Sequence, residues 1–291
     1  MGIILDPIIF TTSNGGVDSV TTYNWTNTNE AINLGDSGSG NIPSFTATAG
    51  STSEVAIIEV TPTYTNAEVS CIGPSKEFTI TVNPTAQVNP VNSIVICNGQ
   101  EVSDILFSTE NANGTTIYSW ENSNDYIGLD SSGTGDIDSF LAFNETNNPV
   151  IATITVTPSY DDPLLLCTGD EPILFTITVN PTAQVNQPDD ITLCNGVDSS
   201  IIEFTTLNQG GETSYTWTNN NTSIGLDANG ADFVPVFNPI NNTTQPIEAI
   251  ITVTPLFTGD IVNCPGVSQQ FIITVNPSAQ VNYIDPIVVC N

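Results

Sequence analysis

The sequence contains no histidine and no arginine, and its single basic side chain, Lys76, stands against 31 aspartate and glutamate residues. Without histidine, Ser-His and Cys-His nucleophilic schemes and histidine-ligated metal sites are excluded. A formal net charge of −30 also leaves no basic patch to hold nucleic acid or an anionic membrane. No carboxylate pair stands out as a glycosidase pair, since aspartate, asparagine and serine concentrate in turns. We therefore predict no enzymatic activity and no catalytic residues.

Long apolar runs, a cationic leader and Cys-x-x-Cys motifs are missing as well. No stretch of about 18 apolar residues occurs, so we expect no direct insertion into a membrane. The N-terminal ten residues carry Asp6 and no cationic start, unlike a signal peptide. Helix-period stretches rich in Ala, Leu, Glu and Lys are also absent, whereas Thr, Val, Ile and Asn dominate. This composition favours an all-β protein.

The chain repeats itself three times with a period of 97 residues, seen in Phe10, Phe107 and Phe204. A period of this length suits a small autonomous domain rather than a solenoid unit. We predict immunoglobulin-like (Ig-like) repeats at 1–87, 88–184 and 185–281, with 282–291 as the first strand of a fourth. The first repeat lacks the segment that holds Cys97 in the second. We therefore expect a piece cut from a longer protein.

The second repeat illustrates the pattern of short strands and turns. We predict strands over 93–97, 105–108, 116–120 and 139–143, and two long alternating strands bracketed by prolines at 149–158 and 172–181. Each repeat carries one tryptophan (Trp25, Trp120, Trp217) in an alternating strand, which predicts core packing. Six or seven such strands, one tryptophan and a disulfide describe an Ig-like β-sandwich.

The six cysteines occupy two positions of the repeat, which leaves two regular pairings. Pairing within repeats joins Cys97 to Cys167 and Cys194 to Cys264. Pairing across junctions joins Cys71 to Cys97, Cys167 to Cys194 and Cys264 to Cys290. We favour the first, because the first strand of a sandwich can lie parallel beside the last, with each cysteine near a strand start. The second requires the chain to run about 30 Å along a strand and return within roughly 7 Å. Both imply an oxidising, extracellular setting.

The favoured pairing leaves Cys71 and Cys290 without partners in this chain. Residues 282–291 read as a first strand without a domain, and the first repeat as a domain without its first strand. We therefore hypothesise head-to-tail self-association by strand addition, with a Cys71–Cys290 bond between two chains. The alternative is an exposed tail with no partner.

The residues also resemble a known family. The repeats are similar to the PKD-like repeats of gliding-motility surface adhesins of Bacteroidetes. The motifs that carry this resemblance are Tyr-x-Trp (Tyr23, Tyr118, Tyr215), Ile-Gly-Leu-Asp with its Gly-x-Gly loop, Val-Thr-Pro and Phe-Thr-Ile-Thr-Val-Asn-Pro. The resemblance covers all three repeats, although the Trp-Asp-Phe-Gly-Asp-Gly loop of true PKD domains is missing. It implies a secreted, outer-membrane-associated stalk or adhesive filament whose partners are adjacent repeats and a surface or polysaccharide ligand.

Two further functions are considered for the loops. Asp130, Asp136, Asp138, Asp227 and Asp232 lie in glycine-rich loops and offer the oxygen ligands that calcium takes. No bidentate glutamate follows, and Asn41 stands in the first repeat where the second has Asp136, so a solvated turn explains the loop equally. We therefore predict no cofactor. A linker stiffened by bound calcium is one alternative function. The second alternative function is an array of carbohydrate-binding modules, in which Tyr160 and Phe257 are candidates to stack on sugar rings.

Overall fold

The computed structural model describes residues 2–162, 165–169 and 171–289. These residues form strands and three single-turn 3-10 helices, arranged as three units with the same order of elements. Each unit packs a larger and a smaller β-sheet around its own apolar core. The fold class is therefore as predicted, a tandem array of three Ig-like β-sandwiches. No helix in the described part of the chain is long and apolar enough to cross a membrane.

The strands are numbered in chain order. The first repeat contains β1 Ile3–Leu5, β2 Ser19–Asn27, β3 Ser37–Ser39, β4 Phe45–Ala47, β5 Glu54–Asn66, β6 Val69–Ile72 and β7 Lys76–Val82. The second contains β8 Ile94–Cys97, β9 Glu101–Val102, β10 Thr115–Asn122, β11 Ser132–Thr134, β12 Phe140–Leu141, β13 Val150–Asp161, β14 Cys167–Thr168 and β15 Ile173–Asn180. The third contains β16 Ile191–Cys194, β17 Ile202–Glu203, β18 Glu212–Asn219, β19 Asn229–Ala231, β20 Phe233–Val234, β21 Ile247–Gly259, β22 Val262–Pro265 and β23 Gln269–Asn276. The 3-10 helices are Glu30–Ile32, Asp125–Ile127 and Thr222–Ile224.

The large sheet of the second repeat has the order β11-β10-β13-β15-β8, with β14 paired to β13. Its neighbours are antiparallel except for β8, which lies parallel to β15 in the register Ile177 to Ile94 and Asn180 to Cys97. The small sheet is the β9–β12 pair, extended by an isolated bridge between Ile105 and Ile137. The strand predicted at 105–108 is thus reduced to that bridge.

Alternation along the long strands builds the core, because successive side chains of a strand point to opposite faces. In β13, Ala152, Ile154 and Val156 are fully buried, while the threonines between them face the other side. The tryptophans are 2 to 7% exposed, which confirms that they belong to the core. Each rests on a glycine of the Gly-x-Gly loop. A Cβ at Gly133 would overlap the indole ring of Trp120, and Gly38 and Gly230 have the same relation to their tryptophans.

A buried asparagine at the end of the tryptophan strand holds the following loop in every repeat. Asn122 is 8% exposed and donates from Nδ2 to the carbonyl oxygens of Leu129 (3.0 Å) and Asp130 (3.2 Å). Its Oδ1 accepts the backbone N–H of Asn124, which caps the 3-10 turn. Asn27 and Asn219 form the same bonds. The loop is therefore held by buried hydrogen bonds that satisfy its polar groups.

The first repeat differs from the others at one edge of its large sheet. Among the described residues no strand lies parallel to β7, where β8 and β16 lie parallel to β15 and β23. Phe78, Ile80 and Val82 on the inner face of β7 are only half-buried. Their counterparts in β15 and β23 are at most 3% exposed. One side of this core is therefore uncovered.

Candidate functional site: the junction between repeats

Cys97 and Cys264 form a disulfide that joins the second repeat to the third, with their Cα atoms 5.4 Å apart. Cys97 ends β8 and Cys264 lies in β22, on the hairpin of the following repeat. Both are nearly inaccessible, at 4% and 0% exposure, and they pack with Ala183 and Phe257. The bond therefore lies within a small apolar cluster between two domains rather than within one of them.

This bond contradicts the predicted Cys97–Cys167 and Cys194–Cys264 pairs, and it is not one of the cross-junction pairs either. The parallel placement of first and last strands is confirmed, but the position of Cys97 on its strand was misjudged. Cys97 lies beside Asn180 at the end of β15, whereas Cys167 precedes the start of β15. The length of that strand, roughly 25 Å, separates them. Cys71, Cys167 and Cys194 are free thiols in this chain, and Cys290 lies outside the described residues.

Hydrogen bonds also fasten the linker between the second and third repeats. The Oδ1 atom of Asn208 accepts the backbone N–H of Gln184 (2.6 Å), and its Nδ2 donates to the carbonyl of Thr182 (3.1 Å). The side-chain hydroxyl of Thr206 also donates a hydrogen bond to Oδ1 of Asn208, at 3.1 Å. We call this asparagine and its equivalents, Asn111 and Asn14, the linker clasp. The signal for it in the sequence is a Thr-x-Asn motif that recurs once in each repeat, ending at Asn14, Asn111 and Asn208.

Further contacts bring the hairpin of the third repeat against the linker. Ala183 forms a parallel bridge with Gly266, and a Cβ on Gly266 would collide with the Ala183 carbonyl oxygen. The backbone N–H of Gln209 donates to the carbonyl of Asn147 in the second repeat (2.8 Å). The two domains therefore touch through backbone as well as side chains, which restricts how far one can rotate about the other.

The junction between the first and second repeats has the same construction. Asn111 accepts the N–H of Gln87 (2.8 Å) and donates to the carbonyl of Thr85 (3.0 Å). Ala112 donates to the carbonyl of Ser51 (2.8 Å), as Gln209 does one repeat later. The counterpart of Cys264 here is Cys167, and its thiol is free. This junction has the clasp but lacks the disulfide.

Beside the open edge of the first repeat lies a cavity of about 570 Å³. Phe10, Tyr23 and Phe78 line it, together with Cys71 and Asn14 of the linker clasp. In the third repeat the corresponding aromatics, Phe204, Tyr215 and Phe271, form one cluster with Val185 of the linker, which is 7% exposed. The cavity of the first repeat thus corresponds to the linker site of its neighbours.

The loop aspartates proposed as calcium ligands, Asp130, Asp136, Asp138, Asp227 and Asp232, are all exposed. Asp136 instead accepts the backbone N–H of Phe107 (2.7 Å), and Asn41 accepts that of Phe10 (2.9 Å) in the same way. Asp232 has φ 62°, in the left-handed region where the other repeats carry glycine. Within residues 2–162, 165–169 and 171–289, no three acidic or thiol side chains gather into a metal-binding group. Calcium binding stays a prediction.

The candidates for sugar stacking are buried. Tyr160 and Phe257 are 1% and 0% exposed because they occupy equivalent places in the two repeat junctions. The Tyr160 hydroxyl lies 3.2 Å from the Ser53 hydroxyl across the junction. The prediction that these two rings form a stacking platform is therefore wrong: they continue the buried alternation of β13 and β21 into the junctions.

Burial raises the pKa of two tyrosines, Tyr118 and Tyr215, whose rings pack at a steep angle against Phe107 and Phe204. The ring of Tyr118 lies 5.4 Å from that of Phe107, and desolvation raises its pKa, with a smaller contribution from the nearby charge of Asp136. Desolvation likewise raises the pKa of Tyr215, partly offset by a hydrogen bond with Thr206. Both shifts favour the neutral phenol and point to a structural role.

No protein-family model matches the chain, and no curated protein matches it either. Several solved structures of proteins with tandem domains match the chain at low identity. Three N-terminal domains of the highly immunogenic outer capsid protein of bacteriophage RB49 match at 13% identity over 89% of both chains, with a TM-score of 0.41. Drosophila N-cadherin EC1-4 matches at 15% identity over 90% of this chain and 67% of that one, with a TM-score of 0.39. Mouse protocadherin-24 EC1-3 matches at 12% identity over 88% and 90%, with a TM-score of 0.36. These similarities say nothing about what the present chain binds.

Proposed function

We propose that this chain is a non-catalytic segment of an extracellular stalk, whose repeats at 1–87, 88–184 and 185–281 extend an adhesive surface away from a cell. The observation that carries the proposal is the repeat junction. The clasp and the backbone contacts recur at both junctions, and the second one adds a buried disulfide. Domains fastened in this way act as a spacer, because their relative motion is restricted at each step.

The extracellular setting rests on the disulfide and the charge. A disulfide of this kind persists in oxidising compartments. A net charge of −30 keeps such a rod soluble and disfavours side-by-side association. The resemblance to surface adhesins of gliding bacteria supports an adhesive stalk of this type, in which many weak contacts add up along repeated domains.

Small-angle X-ray scattering tests the extended shape. Three repeats, each as long as its longest strand of 12 or 13 residues, give a rod of about 120 Å and a radius of gyration near 35 Å. A compact globule of this chain length has a radius of gyration of about 19 Å. The measurement should be made on dilute samples with residues 278–291 removed, so that self-association does not contribute. A value close to 19 Å contradicts the stalk.

A further inference from the structure

We propose that the chain assembles head to tail, the tail (residues 278–290) of one copy filling the open groove of the first repeat of the next. The groove is the cavity lined by Phe10, Tyr23 and Phe78 together with the free edge of β7. This inference goes beyond the stalk role and does not depend on it.

The tail has the sequence pattern of the segment that fills this groove elsewhere. Residues 86–97, 183–194 and 279–290 all begin Ala-Gln-Val-Asn and end on cysteine, at the same distance from the preceding Asn-Pro. In the second and third repeats the valine, isoleucine and leucine side chains of this segment are buried or half-buried. Val185 is 7% exposed, whereas Val281, its counterpart in the tail, is 85% exposed. Ile287 and Val289 are each 83% exposed. An apolar segment and an apolar groove are thus both left uncovered in one chain.

The register observed between β8 and β15 in the second repeat, moved by one 97-residue period, predicts the contacts between the tail and the first repeat. Since Ile177 to Asn180 pair with Ile94 to Cys97, Ile80 to Asn83 of the acceptor should pair in parallel with 287–290 of the donor. The linker clasp of the acceptor is already in place, with the Thr12 hydroxyl donating to Asn14 Oδ1 at 2.9 Å. Asn14 Oδ1 should then accept the N–H of Gln280. Its Nδ2 should donate to the carbonyl of Ser278.

The same transfer pairs the remaining cysteines. Cys97, at the end of a first strand, bonds Cys264 on the hairpin of the next repeat. Cys194 of the donor therefore meets Cys71 of the acceptor, and Cys290 of the donor meets Cys167 of the acceptor. The Cys71–Cys290 bond expected from the sequence is replaced by these two. Both bonds copy the geometry already present inside the chain, and they bring all six cysteine positions into one regular pattern.

Each bond forms by thiol–disulfide exchange with a small disulfide such as oxidised glutathione. One cysteine thiolate attacks the oxidant, releasing one reduced glutathione and leaving a mixed disulfide. The partner thiolate then attacks the cysteine sulfur of that mixed disulfide and releases the second glutathione. Two protein thiols are oxidised and one oxidant disulfide is reduced for every bond formed.

Sedimentation velocity over a concentration series tests the assembly in the chain of 291 residues, first under reducing conditions and then with oxidised glutathione. We expect concentration-dependent oligomers when the protein is reduced. After oxidation we expect a ladder on a non-reducing gel. Peptide mapping should then find Cys71–Cys194 and Cys167–Cys290 in the oligomers and Cys97–Cys264 in every species.

Two matched variants separate groove filling from non-specific association. Val281→Asp and Val288→Asp introduce the same charge at tail positions that are 85% and 90% exposed, so neither disturbs the fold of the free chain. In the third repeat Val281 corresponds to buried Val185 and Val288 to exposed Thr192, while in the second repeat both counterparts, Val88 and Val95, are half-buried. Val281→Asp should weaken association at least about 100-fold, because it places a carboxylate in an apolar site. Val288→Asp should retain it.

Three results overturn the proposal. The first is a chain that stays monomeric throughout the concentration series under both conditions. The second is equal loss of association in the two variants. The third is a disulfide map in which Cys71 bonds Cys290, or in which Cys167 bonds Cys194.

Discussion

Replacing Cys97 and Cys264 together by alanine should destabilise the second and third repeats and leave the first unchanged. Each repeat contains one tryptophan, so fluorescence reports the unfolding of a single repeat when the other two tryptophans are replaced by phenylalanine. Trp25, Trp120 and Trp217 are all buried, and their emission should therefore change on unfolding. Urea titrations of the three single-tryptophan chains, with and without the alanine pair, measure the effect repeat by repeat.

The size of the effect follows from the loop that the bond closes. If the third repeat unfolds while the second stays folded, the unfolded segment runs from Asn180 to Cys264, which is 264 − 180 or about 84 residues. The chain-entropy relation gives about 4.5 kcal/mol for a loop of that length. With a urea dependence of about 1.5 kcal/mol per molar for a domain this size, the midpoint should fall by about 3 M. Unfolding of the second repeat closes a loop of similar length and should respond similarly.

The control is the double variant Cys167→Ala with Cys194→Ala, which leaves the observed bond intact. These cysteines are free thiols, so the three midpoints should stay within about 0.5 M of the parent. If this variant lost stability and the Cys97, Cys264 pair could be removed without effect, the junction disulfide would be wrong. A fall confined to the third repeat would show that the bond does not couple two domains.

Three further predictions concern the second repeat. Gly133→Ala should lower the free energy of unfolding by about 2 kcal/mol in a urea titration, because the added Cβ overlaps the Trp120 indole. The control Gly35→Ala, at a position that faces open space, should change it little. Equal losses in the two variants would contradict the packing argument. Asp136→Asn should keep the parent's melting temperature in calcium and in chelator alike, because an amide oxygen can also accept the backbone N–H of Phe107. A melting temperature that rises with calcium in the parent but not in the variant would instead support a metal site. Folding raises the pKa of Tyr118, so the neutral phenol contributes to the stability of the fold. This contribution is complete below the unfolded-state pKa of about 10 and is lost as the pH rises through the folded-state pKa. Tyr118→Phe should therefore flatten the alkaline decline in unfolding free energy, and an unchanged decline would refute this assignment.

Much of the fold follows from local patterns in the sequence. Alternation of Ile and Val with Thr predicted the long strands, because a strand places successive side chains on opposite faces. The predicted strand at 172–181 is observed as Ile173–Asn180. Short elements were less predictable. The 105–108 segment forms only a bridge at Ile105, since its pairing depends on a partner distant in sequence.

The roles of the loop residues could not be predicted from the sequence. Asp136 and Asn41 looked like a varying set of calcium ligands, yet both accept one backbone N–H at the same place. The buried role of Asn122 was not predicted, because asparagine is common in this chain and its exposed and buried copies look alike in the sequence. Which copy is buried depends on the loop that folds over it.

The sequence by itself determined the repeat, its period, the all-β class and the unusual charge, since these depend only on which residues recur and where. The tertiary structure alone decided the pairing of the cysteines. Their regular spacing allows several schemes, and the choice depends on which strand end lies beside which hairpin. Cys97 and Cys264 are 167 residues apart in sequence but 5.4 Å apart at their Cα atoms, because packing of two neighbouring domains brings them together. Spacing along a chain carries no information about such contacts until the domains are placed side by side.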